Sequence, residues 1–322
     1  MAYRYVAGRL LQSLILIGLV ISTAFVLIHV APGDPVTYLY GGQAVSAQVL
    51  DGIRHAWGLD RPLWAQYLSY MANVVRGDLG FSQINFQPVS AILSASLPRT
   101  LLLMLPSLLI AVLCGIFLGT TAARRAGSGT DFAIGALSLV SYATPPFWLS
   151  VIFIVVFANT LHWFPTQGMA TLGASGGGLA RILDVAWHMV LPLAVLAWWY
   201  SAAFTRLTRA SILEESRKYY LMTARMKGLS EFKVFYRHAL RNAMRSVITV
   251  LGLQLGTMFA GAVMTEIVFA WPGTGRIIFT AILAHDYPVV LGFFLIVGTG
   301  VVLANLAVDL VYAVIDPRIR YQ

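Results

Sequence analysis

Between Arg99 and Arg124 the chain reads TLLLMLPSLLIAVLCGIFLGTTAA, without one ionised side chain. A helix of that length crosses a hydrocarbon core, which takes about 20 residues at 1.5 Å each. Similar uncharged gaps run from Arg9 to Asp34, Asp184 to Arg206, Arg245 to Glu266 and Asp286 to Asp309. Another lies within Asp131 to Arg181, where Phe132 to about Leu161 is apolar, while Pro165 to Gly178 is rich in Gly, Thr and Ser and reads as loop. The whole chain is 58% hydrophobic and 11% charged, against about a quarter charged in soluble domains. These gaps predict an all-α integral membrane protein with six transmembrane helices.

The uncharged core of the first segment, Leu10 to Val30, is longer than the 7–15 residues of a signal-peptide h-region and has no small-residue cleavage site after it, so it reads as a retained helix. Lys and Arg then set the orientation. Sixteen lie on one side, in the segments holding Arg4 and Arg9, Arg124 and Arg125, Arg206 to Arg245, and Arg318 and Arg320. Five lie on the other (Arg54, Arg61, Arg76, Arg181 and Arg276), with Arg99 at a helix edge. Both termini are therefore expected in the cytoplasm. Topology and a membrane-side or protein partner account for the net charge of +9, and no nucleic acid is needed. The one cysteine, Cys114, reads as a small packed side chain. The histidines have no ligand-like spacing and suggest no metal site.

Helix one is expected to stop at Pro32-Gly33-Asp34-Pro35. The following external segment carries two helical patterns: Val49, Leu50, Ile53, Ala56 and Trp57 before Gly58, and Leu63, Trp64, Tyr67, Leu68, Met71, Val74 and Val75 after Pro62 and before Gly77. They read as amphipathic helices over the outer membrane face, either a structural cap or a docking surface for a soluble partner. Pro106, Pro145-Pro146 and Pro192 fall within helices two, three and four, where neighbouring helices tolerate kinks.

Helices four and five are joined by Arg206 to Arg245, where ten basic residues face Glu214, Glu215 and Glu231. Arg217 to Lys227 reads as a short helix, with Arg225 and Lys227 in its last turn and Gly228 suited to a left-handed stop. Ser230 can cap the next helix, although Lys233 replaces the acid of a full capping box. Tyr220, Ala224 and Gly228 share a face on which small residues would admit another backbone. A basic loop held at lipid headgroups is the plainer alternative.

The run Tyr219-Tyr220-Leu221-Met222-Thr223-Ala224-Arg225-Met226-Lys227-Gly228-Leu229-Ser230, continued by His238-Ala239-Leu240-Arg241-Asn242-Ala243, resembles the cytoplasmic EAA loop of ABC importer permeases, in the branch that imports dipeptides, oligopeptides and nickel. The resemblance extends over nearly the whole chain through Pro32-Gly33-Asp34-Pro35, Gly58-Leu59-Asp60-Arg61-Pro62, Gly77-Asp78-Leu79-Gly80, Phe269-Ala270-Trp271-Pro272-Gly273 with Gly275-Arg276, and Asp309-Leu310 with Tyr312 and Asp316-Pro317-Arg318. Met222 and Thr223 stand where the loop pattern has Glu and its first Ala, and Arg241 where it has Pro. Ala224, Gly228 and Leu240 match.

The resemblance implies a type I ABC importer permease fold in the bacterial inner membrane. Residues 1–95 would form the first helix and external segment, 96–316 the permease domain with its coupling loop at 206–245, and 317–322 a cytoplasmic tail. It implies a homologous second permease, two ABC ATPase subunits and an extracytoplasmic solute-binding protein. Tyr219, Tyr220, Ala224, Arg225, Lys227, Gly228 and Leu229 would engage an ATPase. Gln254, Thr257 and Met258 are candidate contacts on a translocation path lined by helices two to five. A metal-chelate or nickel cargo is an alternative within the same family.

A P-loop requires Gly-Lys followed by Ser or Thr, and none of Lys218, Lys227 and Lys233 follows a glycine. ATP and Mg are therefore expected on the partner ATPases, with no cofactor in this chain. No nucleophile, base and orienting residue stand at a recognisable spacing, so a non-catalytic transport subunit is expected. An ion-coupled secondary transporter is the alternative from another class, because it would place carboxylates in the membrane. Glu266 and Asp309 are the candidates, but both lie towards helix ends. Asn305, Asp309, Tyr312 and Asp316 share one helical face and read as a packed polar seam. The topology has a direct test: in a Cys114-free background, single cysteines at Ser46 and Ser230 should be labelled from opposite sides. Labelling of both by an impermeant reagent outside intact cells would overturn it.

Overall fold

The computed structural model describes residues 2–30, 47–56, 58–82, 84–173, 177–258 and 262–315. Pro32–Pro35, Trp57, the Asp316-Pro317-Arg318 ending and the side chains of Asp309, Leu310 and Tyr312 lie outside the described residues. Among the described residues the regular structure is helical, apart from a hairpin of two two-residue strands. In order the elements are α1 (Ala2–Val30), α2 (Ala47–Ala56), α3 (Leu63–Val75), β1 (Phe81–Ser82), β2 (Gln87–Pro88), α4 (Val89–Arg124), α5 (Gly129–Ala143) and α6 (Pro146–Phe153), which continues as π-helix Ile154–Thr160. Then come α7 (Leu179–Ser216), α8 (Tyr219–Met226), α9 (Glu231–Lys233) with π-helix Val234–Leu240, α10 (Arg241–Thr257), α11 (Val263–Val268), α12 (Thr274–Leu283) and α13 (Tyr287–Ile315).

Among the described residues, Gly8–Leu27, Val89–Arg124, Leu179–Ser216 and Tyr287–Ala307 are each long and apolar enough to span a membrane. The expected third span is two helices, Gly129–Ala143 and Pro146–Thr160, set at 97° to one another. The break has a local cause. Thr144 precedes a proline, whose ring disfavours helical geometry in the residue before it, and Thr144 is extended with ψ 117°. Pro106 and Pro192, by contrast, sit inside unbroken α4 and α7. The apolar stretch expected as a fifth span is also divided, between α10 and the short α11.

Several boundaries move. Helix α4 starts at Val89, so the boundary expected at 95/96 falls inside it. Helix α7 runs to Ser216, ten residues past Arg206, and the chain from Glu231 to Thr257 is helical throughout. The segment that is neither of these long helices shrinks to Arg217–Ser230. Cys114 is exposed rather than packed, because it lies away from the Gly115 and Gly119 side of α4.

The chain divides into two compact units, Met1–Thr100 with Gly273–Gln322, and Leu101–Pro272. In the first, α1 packs along α13, and Gly298 provides the clearance: a Cβ there would lie 2.4 Å from Val20 Cγ1. The helix expected after Pro62 is present as α3 and lies against α1, with Tyr67 and Ser22 hydroxyls 2.7 Å apart and the Phe25 and Tyr67 rings at 5.3 Å, while Leu63, Trp64, Leu68 and Val75 of its expected apolar face are exposed. The backbone N–H of Thr274 donates to Thr100 Oγ1 at 2.7 Å, satisfying a free amide at the start of α12. Buried Asp286 accepts a hydrogen bond from Ser82 of the hairpin.

The second unit is built around α7. Gly115 and Gly119, one helical turn apart on α4, let that helix lie almost backbone to backbone on Phe204, Thr205 and Thr208. Leu108, Ala111, Val112, Phe204 and Val247 close one core beside this contact, and Leu103, Met104, Met189, Leu196, Met258 and Trp271 form another. On its α5 side, α7 offers Arg209 Nε and Nη2 to the two oxygens of Asp131, at 2.6 and 2.7 Å. Ser141 Oγ donates to the Trp198 carbonyl at 2.7 Å. A Cβ at Gly115 would fall 2.3 Å from Phe204 Cβ, and overpacking of this kind typically costs about 1–3 kcal/mol. Gly115→Leu should therefore lower the melting temperature of the detergent-purified chain by several degrees, whereas Gly135→Ala, with nothing within 4 Å, should leave it unchanged.

Candidate coupling site

Helix α8 is eight residues long, too short to persist alone in water; its surroundings hold it. Lys218 precedes it in extended geometry. At its far end Gly228 takes φ +77°, its N–H reaches the Arg225 carbonyl at 2.9 Å, and the Leu229 N–H reaches the Ala224 carbonyl at 3.3 Å. This pair of bonds is a Schellman stop, and Leu229 supplies the apolar contact that accompanies it by packing on Leu221, Ala224, Val234 and Ala239. The predicted glycine stop is therefore present. The predicted cap is not: Ser230 occupies the N-cap position of α9 but makes no side-chain hydrogen bond to it. Arg225 and Glu231 clasp across the turn instead, Nε to Oε1 at 2.8 Å.

The small residue on α8 faces inward. Ala224 is buried with Leu221 under Val234, so it provides close packing within the loop and leaves no gap for another backbone. The open apolar side is formed by Tyr219, Met222 and Met226, which are 89%, 57% and 72% exposed. Lys227 is exposed at the C-cap. The predicted residues therefore divide: Tyr219 and Lys227 face out, Arg225 clasps Glu231, and Ala224, Gly228 and Leu229 shape the turn.

Tyr220 faces neither way; it ties the loop to both flanking helices. Its hydroxyl donates to Glu215 Oε2 in the last turn of α7 at 2.7 Å, and accepts from Asn242 Nδ2 in the first turn of α10 at 2.9 Å. Glu215 also takes Lys218 Nζ at 2.6 Å, which holds the lysine ammonium above its ordinary range. Arg124, at the end of α4, donates to the Tyr236 hydroxyl at 2.9 Å and lies 5.4 Å over that ring. Glu215 and Asn242 were not among the expected site residues. The i, i+3 spacing of Glu215 and Lys218 was a legible signal, but Asn242 and Tyr236 are brought in by tertiary packing alone.

The expected path residues do not form one surface. Thr257 Oγ1 donates to Gln254 Oε1 at 2.9 Å on α10, whereas Met258 is 3% exposed and packed in a core.

Residues 115–321 match the family of binding-protein-dependent transport system inner membrane components, and residues 2–104 match the N-terminal model of such membrane components. The chain belongs to this family. It is 39% identical over 319 residues to the oligopeptide transport system permease protein AppB of Bacillus subtilis, covering 98% of this chain and 99% of that protein. The di/tripeptide transport system permease protein DppB of Pseudomonas aeruginosa is 40% identical over 314 residues, covering 92% and 93%. The dipeptide transport system permease protein DppB of Escherichia coli K12 is 39% identical over 332 residues, covering 95% and 97%. The chain is thus a multi-pass membrane permease subunit of an ABC import system, a kind of system that works with an ATPase and a binding protein.

In this permease, Tyr220→Phe removes both hydroxyl hydrogen bonds, of which the charge-assisted one to Glu215 contributes about 1.5–3 kcal/mol. Asn242 keeps the His238 carbonyl at 3.0 Å and Glu215 keeps Lys218, so no buried group is orphaned. Hydrogen exchange of amides 219–229 should quicken at least tenfold in Tyr220→Phe, with exchange in α4 unchanged. Unchanged protection of 219–229 would refute the tether.

Proposed function

We propose that this permease is one of two homologous membrane subunits that form the translocation path of an ATP-driven importer of peptides or peptide-like solutes. Its near end-to-end similarity to permeases named for oligopeptides, di/tripeptides and dipeptides carries this reading, and favours peptide over nickel or metal-chelate cargo. Membership of a binding-protein-dependent family speaks against the ion-coupled secondary transporter. The assembly has six spans per permease, the bent α5–α6 pair and α10 completing the set, with both termini cytoplasmic and residues 36–96 outside. The partition of Lys and Arg supports that orientation.

Two ATPase subunits bind ATP and Mg, and the permease contributes no catalytic group. The open apolar crest Tyr219, Met222 and Met226 docks on an ATPase. Closure of the ATPase pair pushes α8, and the tethers through Tyr220 and Arg124 pass the displacement to α7, α10 and α4, switching the path between inward-open and outward-open states.

The decisive experiment is peptide-stimulated ATP hydrolysis by the reconstituted complex, with Gly228→Asp and Gly177→Asp compared. Gly228 sits at positive φ with open space around it, so the substitution strains the stop and places a carboxylate beside the docking crest. Transport and coupling should be lost while the protein stays in the membrane. Gly177→Asp, exposed and unhindered, should be silent. Full coupling in Gly228→Asp would remove the coupling-loop reading.

A further inference from the structure

Arg206 and Arg209 lie one turn apart on α7, and their guanidinium groups meet different surroundings. Arg209 is neutralised by Asp131. Arg206 is exposed, and among the described residues it has no carboxylate within ion-pair distance. What holds it is an aromatic face: its Cζ lies 4.4 Å from the centroid of the Tyr142 ring, which is stacked on Trp199 at 6.4 Å with 11° between planes.

The direction of the side chain is unusual for an arginine near the end of a span. Helices α5 and α7 run antiparallel, since Asp131 meets Arg209 and Ser141 meets Trp198. Tyr142 is eleven residues along α5 from Asp131, roughly 16 Å further from the ion pair. Side chains on a helix lean towards its N-terminus. Arg206 therefore leans away from the C-terminal end of α7, where Glu215 and Lys218 lie, and Tyr142 leans towards it from the opposite helix. Snorkelling would take the guanidinium the other way, out to the nearer polar surface. An ionised group turned back along a candidate membrane-spanning helix belongs against a water-filled cavity or another protein surface rather than lipid. The ring occupies one face of the guanidinium plane, and its donor edge remains available for a planar, bidentate acceptor.

We infer that Arg206, seated on Tyr142 and flanked by Trp199, is a carboxylate-binding subsite on the translocation path, which takes the C-terminal carboxylate of the cargo as it passes. The assignment of that carboxylate to a peptide rests on the function proposed above; the anionic subsite does not.

The test uses the reconstituted complex in a Cys114→Ala background with Ala203→Cys, one turn from Arg206 on α7, as a reporter thiol beside the site. Two methanethiosulfonate reagents of similar size are compared, the sulfonatoethyl anion and the trimethylammonioethyl cation, each referred to its rate with a free thiol. The anion should react at least fivefold faster than the cation. Arg206→Gln should abolish that bias and Arg206→Lys should keep it, which separates loss of charge from loss of fold. Tyr142→Leu should weaken the bias by freeing the guanidinium. During turnover with the binding protein saturated, trialanine should slow labelling severalfold, and trialanine amide and an amidated peptide with one aspartate should not. No labelling by either reagent, or labelling without charge bias, would overturn the subsite. Equal protection by the amide would overturn its assignment to the C-terminal carboxylate, and equal protection by the aspartyl amide alone would assign it to acidic side chains. A charge bias with no protection by any peptide would uphold the anionic subsite and count against peptide as the cargo.

Discussion

The close approach of α4 to α7 at Gly115 and Gly119 is the contact on which the Leu101–Pro272 unit depends. With Cβ positions there falling 2.3 and 2.6 Å from atoms of Phe204 and Thr205, no larger residue fits without moving a backbone. Lipid chains are as apolar as leucine, so burial of apolar surface gives helices little reason to associate in a bilayer. Close van der Waals contact between small residues supplies that reason. Once α4 and α7 are set against each other, the cores on either side of Phe204 and Leu196 are filled by α10 and the loop around Trp271.

Helix α7 then acts as a long strut. At 38 residues it extends about 57 Å, nearly twice the roughly 30 Å hydrocarbon thickness. It is therefore longer than a hydrocarbon core requires, and in its last turn Glu215 presents its carboxylate where α8 can be held. Neutral residues fill the apolar length, and Asp131 compensates the arginine packed against α5. The Tyr220 hydroxyl joins α8 to the Glu215 carboxylate, which also holds Lys218, and through the same oxygen to Asn242. That arrangement couples both long helices to one short one without requiring the loop to be large.

The same economy explains why the loop is a folded object despite its charge. Leu221, Ala224, Val234, Ala239 and Leu229 make a core of five small or medium side chains, and the Schellman bonds and the Arg225–Glu231 clasp close the turn above it. The apolar residues left outside, Tyr219, Met222 and Met226, are flexible or amphipathic types that tolerate both water and an apolar neighbour.

Much of this was legible in the chain alone. Charge-free runs such as Thr100 to Ala123 dictate membrane helices, because backbone polar groups have no partner in hydrocarbon except one another. Gly228 as a left-handed stop and the helical pattern of Leu63 to Val75 are local properties, set by steric freedom at one residue and by a 3.6-residue period, and both can be read from the order of residues. Family membership followed from ordered motifs along the whole length. The inward turn of Ala224, the exposure of Cys114, the burial of Met258, the extension of α7 past Arg206 and the pairing of Tyr220 with Asn242 were not readable. Each depends on which side of a helix meets which neighbour, and a helical period specifies faces without naming what they touch. Tertiary packing settled these, because two residues separated by 22 or 112 positions can share a hydrogen bond only after the helices between them have been placed.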